Sequence, residues 1–129
     1  MPLARAVRDP RKVSERRVTF NREQIAAYAK ASGDHNPIHL DDGFARSVGL
    51  PGVIAHGMLQ MGLLAVVAAE AAGGPSHLRS LSCRFAGMVV PGDTVNFTAE
   101  PTGEGRLDLR ATNQRGEAVI TKATATFAR

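Results

Sequence analysis

Residues 32–42 read Ser-Gly-Asp-His-Asn-Pro-Ile-His-Leu-Asp-Asp, the densest run of titratable and hydrogen-bonding side chains in the chain. Three kinds of chemistry are open to it. As a structural turn, the Asx side chains bond nearby backbone and Pro37 fixes φ. As a metal site, His35, His39 and the aspartates are available, but Pro37 removes the regular helix on which two histidines four apart would chelate. No HExxH pattern is present, and the spacing places no third ligand. As an acid–base pair, Asp34 and His39 sit on either side of a rigid Asn-Pro turn that can aim both at one water, orient it, take its proton and return one.

A second short stretch bears on that choice. Ala55-His56-Gly57-Met58 opens the longest apolar segment of the chain. A helix starting at Gly57 points unpaired N–H groups and the positive end of its dipole outward. A carbonyl oxygen docked there would be polarised as in an oxyanion hole, and glycine leaves the approach clear. His56 fits best as a group that satisfies loop backbone at the helix start.

The elements that must carry these residues follow from periodicity. Residues 14–20 suit a short strand with Val18 and Phe20 on one face. Asn21 is a helix N-cap, Ile25, Tyr28 and Ala29 lie at helical spacing, and Ser32-Gly33 ends that helix. Asp41 and Asp42 suit the cap and first turn of a second short helix over 41–48. From Gly57 to about Ala72 the pattern predicts one long helix, apolar nearly all round and therefore buried. Strand-like segments follow at 77–89, 94–101, 106–113 and 118–128, and the short turns between them imply hairpins. The expected architecture is α+β, an antiparallel sheet of about five strands wrapped around a long central helix, with sheet edges that favour dimerisation.

At 129 residues with 43% apolar content, the chain suits one globular domain. Five Phe, one Tyr and no Trp imply an aliphatic core and argue against base stacking with nucleic acid. The net charge of +4 owes much to Arg5, Arg8, Arg11, Lys12, Arg16 and Arg17, and residues 1–13 are expected to form a basic, flexible arm preceding a domain over 14–129. Cys83, the only cysteine, excludes an intrachain disulfide and a thiolate cluster, and is expected to be a small buried group on a strand. No apolar run is long enough to span a bilayer and no signal peptide is visible, which makes a cytoplasmic protein the default expectation.

The stretch Gly33-Asp34-His35-Asn36-Pro37-Ile38-His39, followed by His56-Gly57-Met58 and by Arg84 to Asp93, resembles the MaoC-like (R)-specific enoyl-thioester hydratases of the hydratase 2 family, which have a hot-dog fold. The likeness runs from about residue 20 to the C-terminus. It implies Asp34 and His39 as the catalytic pair on the hydrating water, Gly57 as the N–H donor to the thioester carbonyl, and Asn36, His56, Met58 and Gly62 as residues at the substrate. His35 falls at a variable position. Several relatives carry serine where this chain has Gly62, which bears on pocket shape. The implied reaction needs no metal, nicotinamide or flavin. Its substrate is an acyl-CoA or acyl-ACP thioester, and the implied assembly is a homodimer. Alternatives are the catalytic subunit of a heterodimeric (3R)-hydroxyacyl-ACP dehydratase, or a non-catalytic acyl-thioester-binding subunit.

Overall fold

The computed structural model describes residues 13–128. The basic arm expected over residues 1–13 therefore lies outside the described residues, apart from Val13. The chain runs β1 (Ser14–Thr19), α1 (Arg22–Ser32), a 3₁₀ turn (Pro37–His39), α2 (Asp42–Ser47), α3 (Gly57–Ala71), a second 3₁₀ turn (Pro75–His77), β2 (Leu78–Phe85), β3 (Thr94–Gly103), β4 (Arg106–Asn113) and β5 (Ala118–Phe127). The strands form one antiparallel sheet in the order β1-β3-β4-β5-β2. It curls around α3 in a hot-dog arrangement.

Local signals explain most boundaries. Asn21 caps α1 through its side chain, accepting from Gln24 N–H at 2.7 Å. Gly33 closes α1 in the left-handed region at φ 79°, where a side chain would be strained. Asp41 caps α2 by accepting from Phe44 N–H, and Asp42 in the first turn reaches beyond its helix to accept from Val53 N–H at 2.9 Å.

Alternation along the strands builds the core. Val95, Phe97 and Ala99 on β3 face Asn113, Ala111 and Leu109 on β4, and all six side chains are buried. On β5 the alternation breaks at adjacent buried Val119 and Ile120. Leu109 pairs with Ala123 while Ala111 pairs with Ile120, so β5 carries one extra residue there. Strand β2 meets the same insertion, pairing Ser82 with Thr124 and Arg84 with Thr121. Lys122, at φ 49°, absorbs the irregularity. Such a bulge bends the strand and increases its twist, which helps the sheet wrap the helix.

Three expectations need correction. The core is not purely aliphatic, because Phe20, Phe97 and Phe127 are buried in it and the first two rings lie 6.4 Å apart. The turn Pro91-Gly92-Asp93 does not make a hairpin, since β2 pairs with β5 while β3 pairs with β1 and β4. Between β2 and β3 the chain is diverted across the sheet end. Ala86 and Gly87 donate to Val119 O, and the turn is tied to Phe20 by two backbone bonds. Finally, α3 is buried on one face only. Gln60, Leu64, Val67, Ala68 and Ala71 pack inward at helical spacing, whereas Met58 is 59% exposed and Val66 39%. Five strands are too few to enclose a helix that is apolar all round. Cys83 on β2 is half-buried, and burial pushes its thiol above the usual range. No helix among the described residues is long and apolar enough to cross a membrane.

Asp93 anchors the diverted turn. Its carboxylate accepts from Val90 N–H at 3.1 Å, from Gln114 Nε2 at 2.8 Å and from Arg115 at 3.4 Å. Burial pushes this carboxyl upward, but the bonds from Gln114 and Val90 and the Arg115 charge outweigh it and hold it below the usual carboxylate range. A depressed folded value means that the contribution to stability is complete above the unfolded pKa of about 3.9 and is lost as pH falls through the lower, folded one. Replacing Asp93 by Ala leaves a Val90 N–H unpaired and is expected to cost about 2 kcal/mol at pH 7. Thermal unfolding should show the gap between wild type and variant narrowing below about pH 4.

Candidate active site

Two segments distant in sequence are stitched together to make the site. The loop after α1 is held by its own side chains. Asp34 Oδ1 accepts from Asn36 N–H at 3.3 Å, and Asn36 Oδ1 accepts from Ile38 N–H at 3.2 Å as it caps the 3₁₀ turn that Pro37 opens. The segment before α3 then docks on this loop. Ile54 N–H donates to Ile38 O at 3.1 Å, and His39 Nδ1 bonds back to Ile54 O at 2.7 Å. Ala55 N–H donates to Val89 O at 2.8 Å, tying the same segment to the sheet end.

A carbonyl oxygen only accepts, so in the neutral His39 ring the Ile54 contact places the proton on Nδ1 and leaves a lone pair on Nε2. That nitrogen lies 4.0 Å from Asp34 Oδ2. A water making hydrogen bonds of about 2.8 Å to both atoms fits such a gap. The Asp34 side chain is about half exposed while His39 is buried, so the pair runs from the rim of the site to its wall.

His56 lies beneath them. It is 1% exposed, its ring stacks on His39 with centroids 3.7 Å apart and 22° between planes, and Tyr28 of α1 meets it edge-on at 4.8 Å. Its Nε2 donates to the Asp34 backbone carbonyl at 3.1 Å. Burial pushes the His56 imidazole below the usual histidine range, against the pull of the Asp34 carbonyl bond.

Asp34, His39 and His56 bring one candidate ligand atom each to within 4.8 Å of one another, so the fold supplies the third group that the spacing of His35 and His39 left unplaced. Both histidines already turn one nitrogen to a carbonyl, as metal-bound histidines commonly do.

Gly57 begins α3 directly after His56, and no side chain caps this helix. A Cβ on Gly57 would lie 3.0–3.2 Å from atoms of the Phe85 ring, so any larger residue here would push that half-exposed ring aside. Phe85 also places an apolar wall beside the open N–H groups, which strengthens their field. Met58 is exposed on the first turn. Gly62 is not part of the Asp34–His39 cluster. It lies one turn further along α3 in a groove of about 440 Å³ lined by Ala65, Val66, Ala69, Pro75 and Leu78. His35 is exposed. Sequence reasoning missed the Ile54 carbonyl, which carries no side-chain signal, and the contacts of Tyr28 and Phe85, which were visible only as helix and strand periodicity.

The profile described as "MaoC like domain" matches residues 4–123. The chain belongs to the MaoC-like family. Its relatives there are hydratases and dehydratases, that is, hydro-lyases acting in fatty acid metabolism. The chain is 39% identical over 115 residues to a fatty acid synthase subunit beta of Aspergillus oryzae, a match covering 79% of this chain and 6% of that protein. It is 36% identical over 92 residues to 3-hydroxyacyl-thioester dehydratase Y of Mycobacterium tuberculosis, covering 69% of this chain and 32% of that one. Among solved structures, an (R)-hydratase from A. caviae involved in PHA biosynthesis superposes with a TM-score of 0.82 at 27% identity, covering 93% of this chain and 96% of that one. An R-hydratase from Pseudomonas aeruginosa gives 0.80 at 27% identity, covering 92% and 80%. The chain spans only about 6% of the fatty acid synthase subunits it matches.

The contact between Gly57 and Phe85 is open to direct measurement. Gly57→Ala is expected to destabilise the fold by about 1 kcal/mol through overpacking. Phe85→Leu in the same chain should relieve part of that loss. A double-mutant cycle by thermal unfolding would read a coupling between the two positions, whereas strictly additive effects would place the strain elsewhere.

Proposed function

We propose that this MaoC-like domain, residues 14–129, reversibly adds water across trans-2-enoyl thioesters to give (R)-3-hydroxyacyl thioesters. The observation that carries this reading is the His39 ring. Its tautomer is fixed by Ile54 O, and its free Nε2 stands one water's width from the Asp34 carboxylate.

In this reading the thioester carbonyl accepts from Gly57 N–H at the start of α3, where the helix dipole stabilises the enolate that develops. Withdrawal of electrons toward that oxygen makes C3 electrophilic. The water held by Asp34 and His39 attacks C3, gives up one proton to the pair, and a proton is delivered to C2, so that H and OH have added across the double bond. Asp34 and His39 act as a coupled pair in this transfer. Asn36 keeps the loop rigid through its bond to Ile38, and Met58 and Gly62 flank the acyl chain along the exposed side of α3. No metal, nicotinamide or flavin enters the chemistry as written. The carrier is CoA or acyl carrier protein; both are anionic and suit a chain of net charge +4.

The apolar face of α3 that five strands leave uncovered, together with β2 at the edge of the sheet, supports assembly with a second hot-dog unit. A homodimer is the first reading. The same exposed face supports the alternative of a heterodimeric (3R)-hydroxyacyl-ACP dehydratase, in which a partner subunit completes the acyl channel. The likeness to a mycobacterial 3-hydroxyacyl-thioester dehydratase favours keeping it. A cytoplasmic location remains part of the proposal, although some relatives are named as peroxisomal.

Loss of enoyl absorbance with crotonyl-CoA, followed by chiral analysis of the product, tests the reaction. Asp34→Asn and His39→Gln are each expected to lower turnover by about 10²-fold or more with the fold intact. Unchanged turnover in either variant, or an (S)-product, overturns the assignment. Mass measurement of the purified chain addresses assembly: an active homodimer excludes an obligate heteromer.

A further inference from the structure

The resemblance implied that His56 lies at the substrate, and the proposed reaction gives it no part, yet its side chain is held on every side. It touches both members of the water-holding pair, by different means. Its ring covers one face of the His39 imidazole at 3.7 Å, and its Nε2 proton is given to the backbone carbonyl of Asp34 at 3.1 Å. Tyr28 closes a further side edge-on, and at 1% exposure the ring offers no face to a ligand. His39 can swing about its Cα–Cβ bond only by leaving this stack, and the Asp34 backbone can move only by breaking the bond. Since Nε2 donates to a carbonyl, Nδ1 of neutral His56 carries a lone pair, and that atom is buried without a hydrogen-bond partner. A buried polar atom left unpaired is costly, and phenylalanine would avoid the cost while keeping the ring. The donor at Nε2 is what phenylalanine cannot supply.

We propose that His56 is a positioning residue that sets the separation and orientation of Asp34 and His39, through its ring on one and its N–H on the other, without touching substrate. This rests on the assignment of Asp34 and His39 to the hydrating water. A misplacement of about 1 Å in such a pair is enough to cost roughly 10²-fold in rate.

Two substitutions separate the two contacts. His56→Gln keeps an N–H donor in the place of Nε2 but loses the stacked ring. His56→Phe keeps a ring but loses the donor. With the full chain and crotonyl-CoA, each is expected to lower kcat roughly 10- to 100-fold while KM stays within about threefold, the pattern of a lost transition-state arrangement. Values of kcat within about twofold of wild type in both variants would overturn the proposal. So would a KM that rises in step with the fall in kcat/KM, because that would put His56 in contact with substrate.

Asp34→Asn and His39→Gln serve as references. If those two retain turnover, the assignment of the pair fails whatever His56 does. If they lose it while both His56 variants keep it, only the positioning role fails. Imidazole ¹⁵N spectra of the wild-type protein at pH 7 need no variant and decide the matter should either one not fold. Neutral His56 protonated on Nε2 beside His39 protonated on Nδ1 is expected. A His56 whose Nε2 is bare, with its proton on Nδ1 alone, overturns the proposal.

Discussion

The bond between His39 Nδ1 and the Ile54 carbonyl joins the two halves of the site and at the same time decides what one half can do. Its length of 2.7 Å is short for a neutral pair, and it is reinforced by the return bond from Ile54 N–H to Ile38 O. Together they staple the turn after α1 to the segment before α3. The staple fixes the ring's position and its tautomer in one contact, because only a proton on Nδ1 satisfies a carbonyl. Everything downstream depends on this. The lone pair faces Asp34, the stacked His56 finds a flat surface, and Gly57 follows as the next residue in the chain.

The scaffold serves the staple from below. Val89 O holds Ala55, Asp42 holds Val53 N–H from α2, and Asp93 fixes the turn that delivers Val89 to its place. These are backbone groups at the open end of the sheet, satisfied by residues from other elements or, for Val90, from within the same turn. Loops alone would leave such a site soft. Here the loop is short, pinned by proline and two Asx bonds, and backed by a helix end and a sheet end. The half-exposed α3 is the complementary feature: the face toward the sheet gives rigidity, and the face away from it stays available.

Much of this was legible from sequence because the signals are local. Asn21, Gly33, Asp41 and Gly57 each mark a boundary through the chemistry of a single cap or turn, and the strand boundaries follow from alternation. The pairing of strands was less accessible. A Pro-Gly-Asp turn looks like a hairpin until the backbone bonds of Phe20 claim it, and those bonds depend on tertiary placement. The burial of α3 was overestimated because a helix that is apolar all round does not reveal how many strands are available to cover it. Asp34, His39 and Gly57 stand out by type and spacing. The carbonyl of Ile54 was invisible, since any residue has one, and the stacking of His56 on His39 joins positions whose proximity is created by the staple itself.

Gly62 separates two design problems. Glycine in an exposed helix interior gives up roughly 1 kcal/mol relative to alanine, and nothing lies within 4 Å of where its Cβ would stand. Packing within this chain therefore does not demand glycine there. The helix surrenders stability at a point on the groove wall, outside the Asp34–His39–His56 cluster. Groove width and the geometry of the Asp34–His39 pair are thereby nearly independent variables. A lineage or an engineer can fill that position stepwise, trading groove volume against helix stability, while the Asp34–His39–His56 cluster is inherited unchanged.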